Sequence, residues 1–159
     1  MISVGLGIDA HPLVESKPLI LGGVDVSFDK GLDGHSDGDV LTHAVIDAVL
    51  GGSIGGDIGT MFPSTDSRWK DISSLILLKQ AFDKVKKEGW MLSNLDATIV
   101  AERPLLQPFI HRMIDNLDRI LCPTSKRINI KATTMDKMGF VGRGEGISVL
   151  AIALLVKTI

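Results

Sequence analysis

Asp9-Ala10-His11 is the first triplet in this 159-residue chain with the makings of a site. Residues two apart on a strand point to the same side, so a carboxylate and an imidazole there can converge on one ion. His43 offers a second imidazole from the polar face of a helical stretch, with Asp39 and Asp47 one turn away on either side. Two imidazoles and one carboxylate make a three-ligand zinc set with the fourth position open, the catalytic rather than the structural pattern. One of the flanking acids is expected to hold the outer nitrogen of His43. On the residues alone, a plain helix histidine bonded to Asp47 accounts for His43 equally well.

Three further segments have the chemistry of anion sites. His35-Ser36-Asp37-Gly38-Asp39 precedes a helix, where backbone N–H groups and the dipole favour negative charge, and Ser36 or Asp37 can also cap. Gly55-Gly56-Asp57-Ile58-Gly59 allows close approach of a ligand, with Asp57 as an acceptor for its hydroxyls. It has neither the ending of a Walker loop nor the spacing of a dinucleotide fingerprint. Lys131 to Gly146 is the densest stretch. Its threonines, lysines, arginine and glycines suit a phosphorylated ligand, with Asp136 available for a hard divalent cation.

These groups need a scaffold. Ser3 to Asp9 alternates polar or glycine positions with Val4, Leu6 and Ile8, which predicts a strand with one apolar face and a glycine face open to close approach. Leu19–Val26 reads as a second strand, Asp29–Gly38 as a loop, and Val40–Leu50 as a helix with Leu41, Ala44, Val45 and Ala48 inward. A long loop over Ser53–Asp66 leads to a helix with Leu75, Leu78, Phe82 and Val85 inward. Ser73 or Ser74 can cap it, and Gly89 ends it. Ser93–Ala101 is a strand broken by Pro104, a third helix with Phe109, Ile110, Met113, Ile114, Leu117 and Leu121 inward runs to Cys122, and Arg127–Thr133 and Ile147–Val156 are strands. The nearly continuous apolar run of the last requires a central position or cover from another subunit.

The composition fits one α/β domain over residues 1–159, with enough apolar residues (45%) for its core. A net charge of −2 excludes a broad nucleic-acid-binding face. No apolar run approaches the roughly 20 residues of a membrane helix. Without a basic leader ahead of an apolar run, the chain reads as cytoplasmic or as already processed. Cys122 has no partner cysteine and reads as packing. The absence of tyrosine excludes chemistry that needs a phenol.

In their order, five motifs resemble the 2-C-methyl-D-erythritol 2,4-cyclodiphosphate synthases of the non-mevalonate isoprenoid pathway. They are Gly-Ile-Asp-Ala-His at 7–11, Gly-His-Ser-Asp-Gly-Asp-Val-Leu-Thr-His-Ala at 34–44, Gly-Asp-Ile-Gly-Thr-Met-Phe-Pro at 56–63, Ala-Glu-Arg-Pro at 101–104, and the stretch 131–146. The resemblance implies a two-layer α/β sandwich with a four-stranded mixed sheet packed against helices, assembled as a homotrimer with active sites between subunits. It implies one zinc per subunit on Asp9, His11 and His43, and Mg2+ or Mn2+ with the substrate diphosphate.

By the same resemblance, His35 and Thr134 stabilise the transition state. Asp57, Gly59, His35 and Ser36 hold the methylerythritol portion, with Asp47 a weaker candidate. The segment from Phe62 to Asp66 lines the pocket, that from Ala101 to Leu106 encloses cytosine, and Thr133, Thr134, Phe140 and Arg143 meet the cytidine diphosphate. Asp136 stands where the family usually has glutamate for the second metal, Leu105 where it often has lysine, and Ser73 where it usually has an acid. The implied reaction converts 4-diphosphocytidyl-2-C-methyl-D-erythritol 2-phosphate to the cyclic diphosphate and CMP. Two rivals are a zinc-dependent phosphoesterase and a non-catalytic trimer carrying an isoprenoid diphosphate in a central channel, with Arg143 at its mouth.

Overall fold

In this computed structural model, which describes residues 1–123 and 127–157, the elements follow the alternation and helical spacing of the sequence. The strands are β1 (Ile2–Glu15), β2 (Leu19–Leu21), β3 (Val24–Val26), β4 (Lys30–Leu32), β5 (Trp90–Val100), β6 (Arg127–Thr133) and β7 (Gly146–Lys157). The helices are α1 (Val40–Gly51), the single turn α2 (Ile58–Met61), α3 (Ser74–Lys87), α4 (Ile110–Leu121) and the single turn α5 (Gly139–Gly142).

Five strands form one mixed sheet in the order β4-β1-β7-β5-β6, antiparallel except for the parallel β5–β6 pair, whose crossover is α4. The expected sheet had four strands. The fifth arises because β1 runs on to Glu15, past its last partner on β7, and Leu13–Glu15 pairs on the other side with Lys30–Leu32, inside the segment expected as a loop. The expected strand over Leu19–Val26 is a hairpin instead. Gly22 and Gly23, at φ 55° and 68°, make a turn that few other residues tolerate.

α1 lies on the sheet, buried on nearly every side. Its approach is set by the glycine face of β1, since a Cβ on Gly5 would stand 1.9 Å from the Ala48 carbonyl oxygen and one on Gly7 1.9 Å from that of Ala44. Asp39, rather than Ser36 or Asp37, caps α1. Its Oδ1 accepts from Gly22 N (2.9 Å) and Thr42 N (3.0 Å), and its Oδ2 from Gly23 N (2.8 Å) and Thr42 Oγ1 (2.7 Å). The tip of the hairpin is thereby pinned to the helix start. α3 buries Leu77, Leu78, Ala81, Phe82 and Val85, and α4 buries Met113, Leu117 and Leu121.

β7 is central, and Ile147, Val149, Ala151, Ala153 and Leu155 are buried under the helices. The opposite face of the β1–β7 pair carries Val4, Leu6, Ile8, Leu150 and Ile152, of which Leu6 is 56% and Ile152 48% exposed. Cys122 is not packed as expected. It ends α4 in the left-handed region (φ 40°) and is exposed. No helix among the described residues is long and apolar enough to cross a membrane.

Candidate metal centre

Beyond Gly5 and Gly7 on the same face of β1 come Asp9 and His11, and α1, running the opposite way past them, brings His43 to the same point. Asp9 Oδ2 lies 2.8 Å from His11 Nε2 and 3.1 Å from His43 Nδ1, and the two ring nitrogens are 3.1 Å apart. Among the described residues these three side chains are the one group of histidine, cysteine or acid donors converging tightly enough for an ion. Tetrahedral zinc with bonds of about 2.0–2.2 Å holds its donors about 3.3–3.5 Å apart, so a few tenths of an ångström of opening admits it. The donor set and its spacing therefore fit the metal.

The ring of His11 is fixed from outside, because its Nδ1–H donates to the Asp33 carbonyl at 2.6 Å. A carbonyl only accepts, so Nδ1 keeps its proton, and a neutral ring has its one lone pair on Nε2, free for an ion that takes the place of the proton shared with Asp9. Burial works against the charge of Asp9. The hydrogen bonds and charges of His11 and His43 outweigh it and hold the carboxyl well below the usual carboxylate range. For His11 burial disfavours the cation, but the Asp9 hydrogen bond and charge, with help from Asp33, raise it.

Neither Asp39 nor Asp47 holds the outer nitrogen of His43, contrary to expectation. Asp39 is committed to its four donors, and Asp47 accepts from the Ile58 backbone at 2.7 Å, fixing the start of α2. Burial raises Asp47, the Ile58 N–H works against that rise, and the charges of Asp57 and Asp9 add to it. His43 Nε2 meets Ser36 Oγ at 2.9 Å and Ser74 Oγ at 2.8 Å. Ser73 or Ser74 was expected to cap α3; Ser73 occupies the cap position, without a side-chain bond, and Asp37 takes the Ser74 N–H.

The triad opens on a cavity of about 190 Å³ lined also by His35, Ser36, Gly59 and Trp69. His35 Nε2 lies 3.4 Å from the Asp66 carbonyl, and Asp66 caps a short turn and pairs with Arg68. Asp57, exposed beside this cavity in sequence, caps α2 through Thr60 N at 2.7 Å. Phe62 is buried edge-on against Trp69, at 5.1 Å between ring centroids.

The remaining candidates lie elsewhere on the chain. Ala101 to Leu106 line a cavity of about 540 Å³ with Thr133 and Thr134. Arg143 lines a third, and pairs with Glu145 at 2.8 Å. Phe140 is half-exposed on α5, and Asp136 faces Thr134 Oγ1 at 3.4 Å. Thus His35 and Thr134 line different cavities among the described residues. The sequence reading missed Ser74 as a histidine partner, and it missed Asp33 and Trp69. Their contacts bridge 31 residues for Ser74 and 22 for Asp33, and no local spacing signals them.

The profile of the YgbB family matches residues 2–156. The 2-C-methyl-D-erythritol 2,4-cyclodiphosphate synthase of Geobacillus sp. strain WCH70 is 50% identical over 157 residues, 99% of each chain. Among solved structures, the bifunctional IspDF of Campylobacter jejuni superposes with a TM-score of 0.94 at 44% identity, covering 99% of this chain and 43% of that longer one. A 2C-methyl-D-erythritol-2,4-cyclodiphosphate synthase described as its CDP-bound form gives 0.87 at 33% identity, covering 96% and 99%. Similarity of fold and sequence on this scale, spanning the whole converging triad, shows that the chain belongs to the YgbB family, that of the 2-C-methyl-D-erythritol 2,4-cyclodiphosphate synthases.

Proposed function

We propose that this protein, as one synthase domain over residues 1–159, converts 4-diphosphocytidyl-2-C-methyl-D-erythritol 2-phosphate to 2-C-methyl-D-erythritol 2,4-cyclodiphosphate and CMP. The step belongs to isoprenoid precursor biosynthesis in the cytoplasm. A 2-phosphate oxygen bonds to the β-phosphorus, the bond from that phosphorus to the bridging oxygen breaks, and CMP leaves with the oxygen. This makes the enzyme a phosphorus–oxygen lyase. The observation that carries the reading is the convergence of Asp9, His11 and His43 beside a cavity lined by His35, Ser36 and Gly59.

Such a displacement needs little covalent work from side chains, and positioning and charge neutralisation dominate it. Asp9, His11 and His43 would hold zinc, and Asp136 would hold Mg2+ or Mn2+; these ions would supply positive charge to the substrate phosphates. His35 and Thr134 hold the charge that builds on the transferring phosphate. His35, Ser36, Asp57 and Gly59 bind the methylerythritol portion, with Phe62 to Asp66 as its wall. The cavity of Ala101, Leu106, Thr133 and Thr134 takes the cytidine, a reading supported by the similar structure described as CDP-bound. Phe140 and Arg143 flank the diphosphate.

The exposed apolar face of β1 and β7 supports a homotrimer, because monomers rarely leave so continuous a patch in water. In such a trimer the His35 cavity of one copy would meet the Thr134 cavity of the next to complete the site, and a central channel would suit an isoprenoid diphosphate. Phosphorus NMR of the products tests the reading. Two coupled resonances of a cyclic diphosphate, with CMP, are expected. An open-chain phosphate product would instead favour the phosphoesterase.

A further inference from the structure

With Nδ1 of His43 turned toward Asp9 and His11, Nε2 is its remote nitrogen, and the two hydroxyls beside it leave its protonation open, since a hydroxyl both donates and accepts. Asp37 closes the question. Its carboxylate takes the Ser74 backbone N–H on Oδ2 at 2.9 Å and the Ser74 Oγ–H on Oδ1. With its single hydroxyl proton committed to Asp37, Ser74 Oγ can only accept from its other neighbours. It receives His43 Nε2–H at 2.8 Å and the Ser36 hydroxyl at 3.2 Å. Polarity therefore runs one way, from the imidazole through Ser74 to the carboxylate, so that in a neutral His43 the proton stays on Nε2 and the lone pair is on Nδ1, toward Asp9 and His11.

We propose that Asp37 and Ser74 form a positioning relay that fixes the tautomer and the ring orientation of His43, and so raises the metal affinity of the triad. The proposal rests on the reading of Asp9, His11 and His43 as a metal centre. Ser74 is fully buried, so no water competes for its hydroxyl. The same acid stitches the loop before α1 to the segment before α3. Asp37 N–H donates to the Ile72 carbonyl at 3.1 Å, and Asp71 N–H to that of His35 at 3.0 Å. A partner to the outer nitrogen of a ligating histidine typically changes metal affinity by about 10–100-fold.

Metal-stripped wild type, Ser74→Ala and Asp37→Asn are titrated with zinc against a chromophoric chelator, and their unfolding midpoints are read in excess EDTA. Ser74→Ala is expected to bind zinc about 10–100-fold more weakly while its metal-free midpoint stays near that of wild type. Asp37→Asn is also expected to weaken binding. Its amide either faces Ser74 Oγ and reverses the relay, or faces the Ser74 N–H and opposes two donors. In zinc-loaded wild type, nitrogen NMR should show His43 protonated at Nε2, with exchange to water faster in Ser74→Ala. Unchanged affinity in both variants, or a loss that only tracks the metal-free midpoint, overturns the relay. A wild type that takes up no zinc overturns the metal-centre reading instead.

Discussion

His43 joins the candidate ligands Asp9 and His11 from a separate element, so its removal should be felt in binding and in turnover alike. In His43→Ala we expect zinc content well below one per subunit and CMP release lowered by about a hundredfold or more, with the metal read by elemental analysis. Full zinc occupancy in that variant would remove His43 from the ligand set. Asp39 has a different part, holding α1 and the hairpin through four donors from a fully buried position. Asp39→Ala should cost about 2–4 kcal/mol in a urea melt, since it removes the cap and leaves the Gly22 and Gly23 N–H groups unpaired. Asp9 and His11 were legible in the sequence as a candidate pair from their spacing on a strand, whereas for His43 it was the family resemblance, not spacing, that favoured a ligand over a plain helix histidine. The partners of the histidines were not legible, because Asp33 acts through its backbone and Ser74 comes from the start of a distant helix.

At the scale of elements, the closeness of α1 to β1 decides whether the ligands meet. Gly5 and Gly7 face the Ala48 and Ala44 carbonyls, and the next residues on that face are Asp9 and His11, two of the candidate ligands. Gly7→Ala should therefore lower stability toward the upper end of about 1–3 kcal/mol, and should weaken zinc binding by moving His43 away from Asp9. Chelator competition and thermal melting on one preparation read both effects. Weakened stability with unchanged zinc affinity would uncouple the two elements. The alternation of β1 and its glycine face predicted this approach. The hairpin of β2 and β3 and the edge strand β4 escaped prediction, because strands of three residues carry too few alternating positions to stand out from a glycine-rich loop.

For the whole molecule, the exposed face of Val4, Leu6, Ile8, Leu150 and Ile152 and the separation of His35 from Thr134 support the same assembly. Wild type should sediment as about three copies of a 17.1 kDa chain, and Leu6→Glu should shift it toward monomers and abolish CMP release while Asp9, His11 and His43 stay unaltered. An active monomer would contradict a site shared between subunits. The apolar run of β7 called for a central position or cover from another subunit; the strand is central, and one of its faces is buried by helices while the other remains open.

The most direct test of the metal-dependent synthase is a zinc titration of chelator-stripped protein in excess magnesium and 4-diphosphocytidyl-2-C-methyl-D-erythritol 2-phosphate, following CMP and the cyclic diphosphate together. The two products should rise in equal amounts, linearly with zinc, to a plateau at one zinc per subunit. Full turnover by the stripped protein, or CMP without the cyclic product, would contradict the account.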